Sequence, residues 1–298
     1  MTGILLIFGF LGIAVWGTLL GRKQRLIEYT SNRNKGSVWE VYCTTLSSLV
    51  GGWMFFGLNA VGYEAGLVGA AIGVGYVIGL GLLFILAPRI KKIMTEKGYD
   101  TLDEFIGLHF GRNTQTLLAL TNFAIFLSVI AAQFMAMTSY LRVIAPEFAG
   151  WLPIGAAIAV VIYTSIGGYK GVATTDILKM IVLVIGVGAF AAIVLSNTPQ
   201  NSWQQLPSKY WGVTGYGVVF VVGAVLFFPA TILVRSDLWQ RVIHAESSTV
   251  ARRSLAFTIP SLLLLYIVLT FIGMVPFCLP MFPVFLLLAR WGLFRMIS

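Results

Sequence analysis

The sequence predicts an all-α integral membrane protein of about eight transmembrane helices. Three observations carry this. Hydrophobic residues make up 58% of the 298 and charged residues 10%, with a mean hydropathy of +0.90; a soluble domain carries about 25% charged residues. Apolar runs near the ~20 residues of a bilayer crossing recur along the chain. The basic residues gather in alternate connections between those runs, which is the mark of membrane topology.

The first run, Thr2–Leu20, has no charged leader region and no small-residue cleavage site, so it reads as a span over about 3–20 and not as a removable signal. Later spans are expected at about 40–62, 66–88, 115–141, 151–167, 174–195, 214–234 and 254–275. Glu96 to Thr114 is polar enough for a short amphipathic surface helix, with Leu102, Phe105, Ile106 and Phe110 on one side. The connection 196–213 holds Trp203, Tyr210 and Trp211, aromatics suited to an interfacial belt.

The connections after spans one, three, five and seven hold Arg22, Lys23, Arg25, Arg33, Lys35, Arg89, Lys91, Lys92, Lys97, Arg112, Lys170, Arg235, Arg241, Arg252 and Arg253. The opposite face holds Arg142 and Lys209. The expected placement is therefore the plasma (inner) membrane, with the N-terminus outside. The net charge of +9 is absorbed by this topology. No basic stripe interleaved with aromatics accompanies it, so no nucleic-acid partner is expected. Cys43 and Cys278 form no C-x-x-C pair, and His109 and His244 lie far apart. With no Ser/His/Asp grouping and no phosphate-cradling loop, the protein is not expected to be an enzyme.

Span two departs from a simple anchor. Thr44, Thr45, Ser47 and Ser48 precede Gly51-Gly52-Trp53, and Gly57, Asn59 and Gly62 follow. Small residues allow close helix packing. They also allow a discontinuous helix, because adjacent glycines weaken the helix. Carbonyls freed at bilayer depth are tolerated where they line a cavity, and with hydroxyl oxygens they suit a hard cation such as Na⁺. Broken helices at mid-membrane belong to inverted-repeat transporters.

Two further segments are more specific. One runs Ile162-Tyr163-Thr164-Ser165-Ile166-Gly167-Gly168-Tyr169-Lys170-Gly171-Val172-Ala173-Thr174-Thr175-Asp176. The other runs Asp237-Leu238-Trp239-Gln240-Arg241-Val242-Ile243-His244-Ala245-Glu246-Ser247 and continues to Ala251-Arg252-Arg253-Ser254. Both resemble the sodium:solute symporter family, whose corresponding motifs commonly read Y-T-x-x-G-G-x-x-x-V-x-x-T-D and Q-R-x-x-A-A-x-S followed by A-R-x-S. Ser47–Gly62 is also similar to the family's first core helix.

The resemblance implies a leucine-transporter-type inverted-repeat fold lacking the end of its second repeat. The symporter-like domain would cover 1–275, with a leading helix at 3–20, the first five-helix repeat at 40–195 and the start of the second at 214–275. A divergent tail would follow at 276–298, where Arg290 and Arg295 fall on the outer face against the charge rule. The implied activity is Na⁺-coupled import of a small organic solute. By register, the backbone carbonyls of Ser47 and Val50 would bind Na⁺. Two hydroxyl ligands would come from the third helix of the second repeat, and no Ser/Thr-rich helix follows, so the chain is expected to be incomplete. Ser48, Gly51, Trp53 and Gln133 would contact the solute. Alternatives are a transporter-like sensor module of a signalling protein, or a non-functional fragment.

Several residues keep two readings. Asp176 is an N-cap of span six or a way-station on the ion's inner exit path, the role the resemblance implies. Lys179 stands where family members often carry Gln; it snorkels to the interface or pairs with Asp176. Glu64 is a solvated loop acid or a rim residue. Gln133 bonds a neighbouring helix or the solute. Trp53 and Phe56 cap the cavity or pack, and Tyr163 packs. Gln240-Arg241, Arg252 and Arg253 are expected to serve as topology-fixing loop charge.

Overall fold

A computed structural model describes residues 32–199 and 206–275, together with Gly12, Val15, Leu19, Tyr29, Thr30, Trp203 and Gln204. Most of the expected first span, and the tail from 276, lie outside the described residues. The helices are α1 Val38–Leu49, α2 Gly52–Ala65, α3 Val68–Lys97, α4 Leu102–Phe110, α5 Arg112–Ile144, α6 Leu152–Asn197, α7 Val218–Val234, α8 Ser236–His244 and α9 Ser248–Met274. Short 3₁₀ turns lie at Pro146–Phe148 and Ser208–Trp211. Among the described residues the only β pairing is an isolated bridge between Gly36 and Ala245.

By length and apolarity, α3, α5, α6 and α9 can each cross a bilayer. Two bent pairs qualify when each is taken as one span: α1 with α2, bent by 58°, and α7 with α8, bent by 55°. A straight α6 of 46 residues would run about 69 Å, over twice the hydrocarbon thickness. It is two limbs meeting at Gly168, whose φ of 54° and ψ of −158° are not helical. Lys179 Nζ lies 3.4 Å from the Tyr163 hydroxyl. Sixteen residues of unbroken helix would separate their backbones by about 24 Å, so the chain folds back at Gly168. The first limb matches the span expected at 151–167, and the second starts after Gly168, about five residues before the span expected at 174–195.

The chain forms two compact units. The first comprises the described residues within Met1–Leu49, Leu83–Met180 and Val234–Thr258. In it α4 starts at a capping box: Thr101 Oγ1 accepts from the Glu104 amide at 3.2 Å, and Glu104 accepts from the Thr101 amide at 3.3 Å. The segment before α1 lies along the end of α8, where the amides of Lys35 and Gly36 both donate to the His244 carbonyl. Lys91, 3% exposed, donates to the carbonyls of Ile243 (2.9 Å) and Ala245 (2.5 Å) and to Asn34 Oδ1 (2.9 Å). It thereby satisfies carbonyls that the end of α8 leaves without helical partners. Arg33 pairs with Asp100 at 2.5 Å.

The second unit comprises the described residues within Val50–Leu82, Ile181–Leu233 and Ile259–Ser298. Here α2 and α9 cross at glycines: a Cβ on Gly62 would strike the Thr270 carbonyl, and one on Gly273 the Asn59 carbonyl. Tyr76 lies between Phe228 (4.8 Å between centroids) and Tyr266 (5.5 Å). Tyr210 is not part of an exposed aromatic belt. It is 4% exposed, and its hydroxyl donates to the Tyr63 carbonyl at 2.8 Å. Tyr216 donates to Glu64 at 2.7 Å, so Glu64, on the last turn of α2, is a bonded acid. Burial first, and then the Glu64 carboxylate, push the Tyr216 phenol above its usual range.

Several expected loop charges belong to helices. Arg89, Lys91, Lys92 and Lys97 ride on an extension of α3 beyond its apolar core, and Arg252 and Arg253 on the first turns of α9. A helix need not end where its apolar window ends, because hydrogen bonding continues into the polar interface.

Candidate functional site

α1 stops at Leu49, Val50 and Gly51 are not helical, and α2 resumes at Gly52. Gly51 is extended, with φ −139° and ψ 176°, and the Met54 amide donates to its carbonyl at 3.0 Å. The hydroxyls preceding the break turn back on their own helix. Thr45 donates to the Val41 carbonyl at 2.6 Å and Ser48 to the Thr44 carbonyl at 2.8 Å. The last carbonyls of a helix lack helical partners and carry its partial negative charge. That end attracts cations.

Two arginines of α8 and its cap meet it within the first unit. Arg235 Nη2 donates to the Ser48 carbonyl at 3.2 Å. Asp237 holds Arg235 through both carboxylate oxygens, at 3.0 and 2.7 Å, a bidentate geometry that fixes the guanidinium plane. Arg241 Nη2 donates to Ser48 Oγ at 3.1 Å and to Asp176 Oδ2 at 3.2 Å. Its guanidinium stands 5.0 Å from the centre of the Tyr169 ring. Asp176 Oδ1 takes Lys179 Nζ at 3.1 Å. Ser236 anchors the start of α8: its amide donates to Asn122 Oδ1 at 3.1 Å and its hydroxyl to Asp103 Oδ2 at 2.9 Å. At the other end, His244 is fully buried, with Nε2 3.0 Å from Glu40 and Nδ1 2.8 Å from the Asn32 carbonyl.

Of the residues singled out from sequence, Ser48 and Asp176 come together on one guanidinium. Ser47, Val50, Gly51 and Trp53 follow one another along the break, each partly buried. Gln133 is half-buried in α5. The N-cap reading of Asp176 is overturned, because the second limb of α6 starts after Gly168 and carries Asp176 two turns inside it. Lys179 takes the pairing reading. Arg241 is not solvated loop charge: its side chain is 9% exposed and ion-paired. The signal was present in the sequence. Leu238, Trp239, Val242 and Ile243 crowd one nine-residue stretch, so a helix there must bury a face, and its Arg is carried in with it. Among the described residues no three His, Cys, Asp or Glu side chains gather as a metal cluster. Oxygen for a hard cation would come from backbone and hydroxyls.

Comparison with known proteins decides the family. The family model described as "Sodium:solute symporter family" matches residues 29–283. The chain belongs to the sodium:solute symporter family. A sodium/proline symporter of Haemophilus influenzae is 29% identical over 165 residues, covering 52% of this chain and 32% of that protein. A sodium/glucose cotransporter of Vibrio parahaemolyticus is 27% identical over 155 residues, covering 50% and 27%. Among solved structures, a Na⁺-coupled sialic acid symporter in a substrate-bound, outward-open state matches with a TM-score of 0.75 at 16% identity, over 93% of this chain and 60% of that one. At that identity the likeness speaks for the fold: an all-helical symporter architecture. The chain spans about a third of the length of the curated relatives it matches. The family and these relatives are symporters, not enzymes.

Proposed function

We propose that this protein takes part in Na⁺-coupled import of a small organic solute, with the ion bound at the break between α1 and α2. The observation that carries the reading is the break itself. Leu49 closes one helix and Gly52 opens the next, with Val50 and Gly51 between them in non-helical conformation. The carbonyls of Ser47 and Val50 are the proposed Na⁺ ligands. Ser48, Gly51, Trp53 and Gln133 are the proposed solute contacts, and Asp176 lies on the proposed inner exit path. The protein would sit in the plasma (inner) membrane, N-terminus outside, as the distribution of Lys and Arg suggests.

The coupling follows from differential affinity. Na⁺ drives a cycle only if it binds one state more tightly than the other. An ion held at a helix break does so when closing the break displaces its ligands. The membrane potential adds about 2.3 kcal/mol per charge for each 100 mV. The relatives named for proline and glucose carry chemically different solutes, so the proposal stops at a small organic solute.

The test is thermal melting of the purified protein in detergent, in Na⁺ against K⁺ at equal ionic strength. A ligand that binds only the folded state stabilises it by about 2.7 kcal/mol at one hundred times its Kd. The proposal expects a Na⁺-specific rise in Tm that saturates. Identical melting in the two salts up to several hundred millimolar would count against it.

A further inference from the structure

Asp176 carries more positive charge than one carboxylate can balance. Both its oxygens are engaged, Oδ2 by Arg241 at 3.2 Å and Oδ1 by Lys179 at 3.1 Å. The Arg235 charge is no part of this excess, being taken up by Asp237 at 2.7 Å. A carboxylate flanked by a guanidinium and an ammonium leaves a local charge of plus one. A further cation at Asp176 would compete with these two for the same oxygens and meet their positive charge.

The two are not held alike. The Arg241 side chain is 9% exposed, shares Ser48 Oγ and packs on the Tyr169 ring. The Lys179 side chain is 46% exposed, and its other polar partner is the Tyr163 hydroxyl at 3.4 Å. It sits on a flexible four-carbon stem that can swing to water. Lys179 is thus the partner that gives way.

We propose that Lys179 is a tethered ammonium that occupies the Asp176 oxygen a departing Na⁺ would use, and so sets the affinity of the inner exit path for the ion. This rests on the reading of Asp176 as part of that path. Arg241 is the fixed half of the device, holding Asp176 beside the end of α1, and Lys179 is the exchangeable half. When Lys179 swings out, one carboxylate oxygen is opened to Na⁺. When it returns, the ion is expelled by like charge at short range.

The experiment is a Na⁺ titration of the melting temperature, at constant ionic strength, for the wild-type protein, Lys179→Gln and Lys179→Arg. Lys179 is half-exposed, so an effective dielectric between ~20 and ~80 applies, and removing its charge from about 5 Å should lower the half-saturating Na⁺ in K179Q by between about fourfold and a few hundredfold. K179R, which keeps the charge, should stay at the wild-type value. That shift with that rescue supports the proposal. Equal half-saturation in wild type and K179Q overturns the proposal while leaving the symporter reading standing. No Na⁺ response in either overturns both. Lys179→Met takes the place of K179Q if that variant does not purify.

Discussion

Replacing Arg241 by Met should destabilise the protein by about 3 kcal/mol, the low end of the ~3–5 kcal/mol for breaking a buried ion pair from one side. The guanidinium gives up three partners: Asp176 at 3.2 Å, Ser48 Oγ at 3.1 Å and the Tyr169 ring at 5.0 Å. The low end applies for two reasons. Asp176 keeps Lys179 at 3.1 Å, and Met preserves much of the packing of the arginine stem. Asp176→Leu should cost more, about 4 kcal/mol, because it strands a guanidinium that is 9% exposed. The double variant leaves neither charge buried. It should recover about 2 kcal/mol or more of the summed losses, since residues sharing one ion pair are not additive. The assay is equilibrium unfolding in mixed micelles with increasing SDS, followed by tryptophan fluorescence and by circular dichroism. Single-variant losses that add in the double to within ~0.5 kcal/mol would refute the coupling of Arg241 to Asp176.

Other outcomes follow from local geometry. Thr101→Ala removes the side-chain half of the α4 capping box and should cost about 1 kcal/mol, seen as faster amide exchange at Glu104. Gly168→Ala places a Cβ at φ 54° against the Tyr29 ring and backbone. It should cost about 2 kcal/mol or more, read as a lower Tm. Tyr216→Phe removes a donor to Glu64 at 2.7 Å and should cost about 1 kcal/mol near neutral pH. The folded-state pKa of Tyr216 is raised, so its contribution is complete below the unfolded value of about 10 and is lost at higher pH. The stability gap between wild type and Y216F should therefore hold up to about pH 10 and shrink as the pH rises further.

The membrane class and the all-helical architecture were legible because lipid forces long apolar runs and leaves charge mostly at their ends. The break at Gly51-Gly52 was legible as one of two readings, because adjacent glycines weaken a helix while small residues also serve close packing. In the second bent pair, α7 with α8, the apolar residues Leu238, Trp239, Val242 and Ile243 marked a buried helix, but the partners of its charged residues were not legible. Arg235, Asp237 and Arg241 look like solvated loop charge when taken singly. What they do depends on partners far along the chain, such as Asp176, Ser48 and Asn122, and no local pattern brings those together. Tyr210 was misplaced for a similar reason. An aromatic in a polar outer connection suits the interface, and only the fold shows its hydroxyl donating to the Tyr63 carbonyl. The depth of Asp176 within its helix was hidden because Gly168, and not Thr174 or Thr175, starts the limb.

The central claim is that Na⁺ binds at the break in the first core helix. Equilibrium binding of radioactive Na⁺ to the purified protein tests it most directly. The account predicts saturable binding that unlabelled Na⁺ displaces and K⁺ does not, and that weakens when Gly51 and Gly52 are both replaced by Ala, because each replacement favours a continuous helix by about 1 kcal/mol. Retention of labelled Na⁺ that neither saturates nor responds to the Gly51 and Gly52 replacements would contradict it.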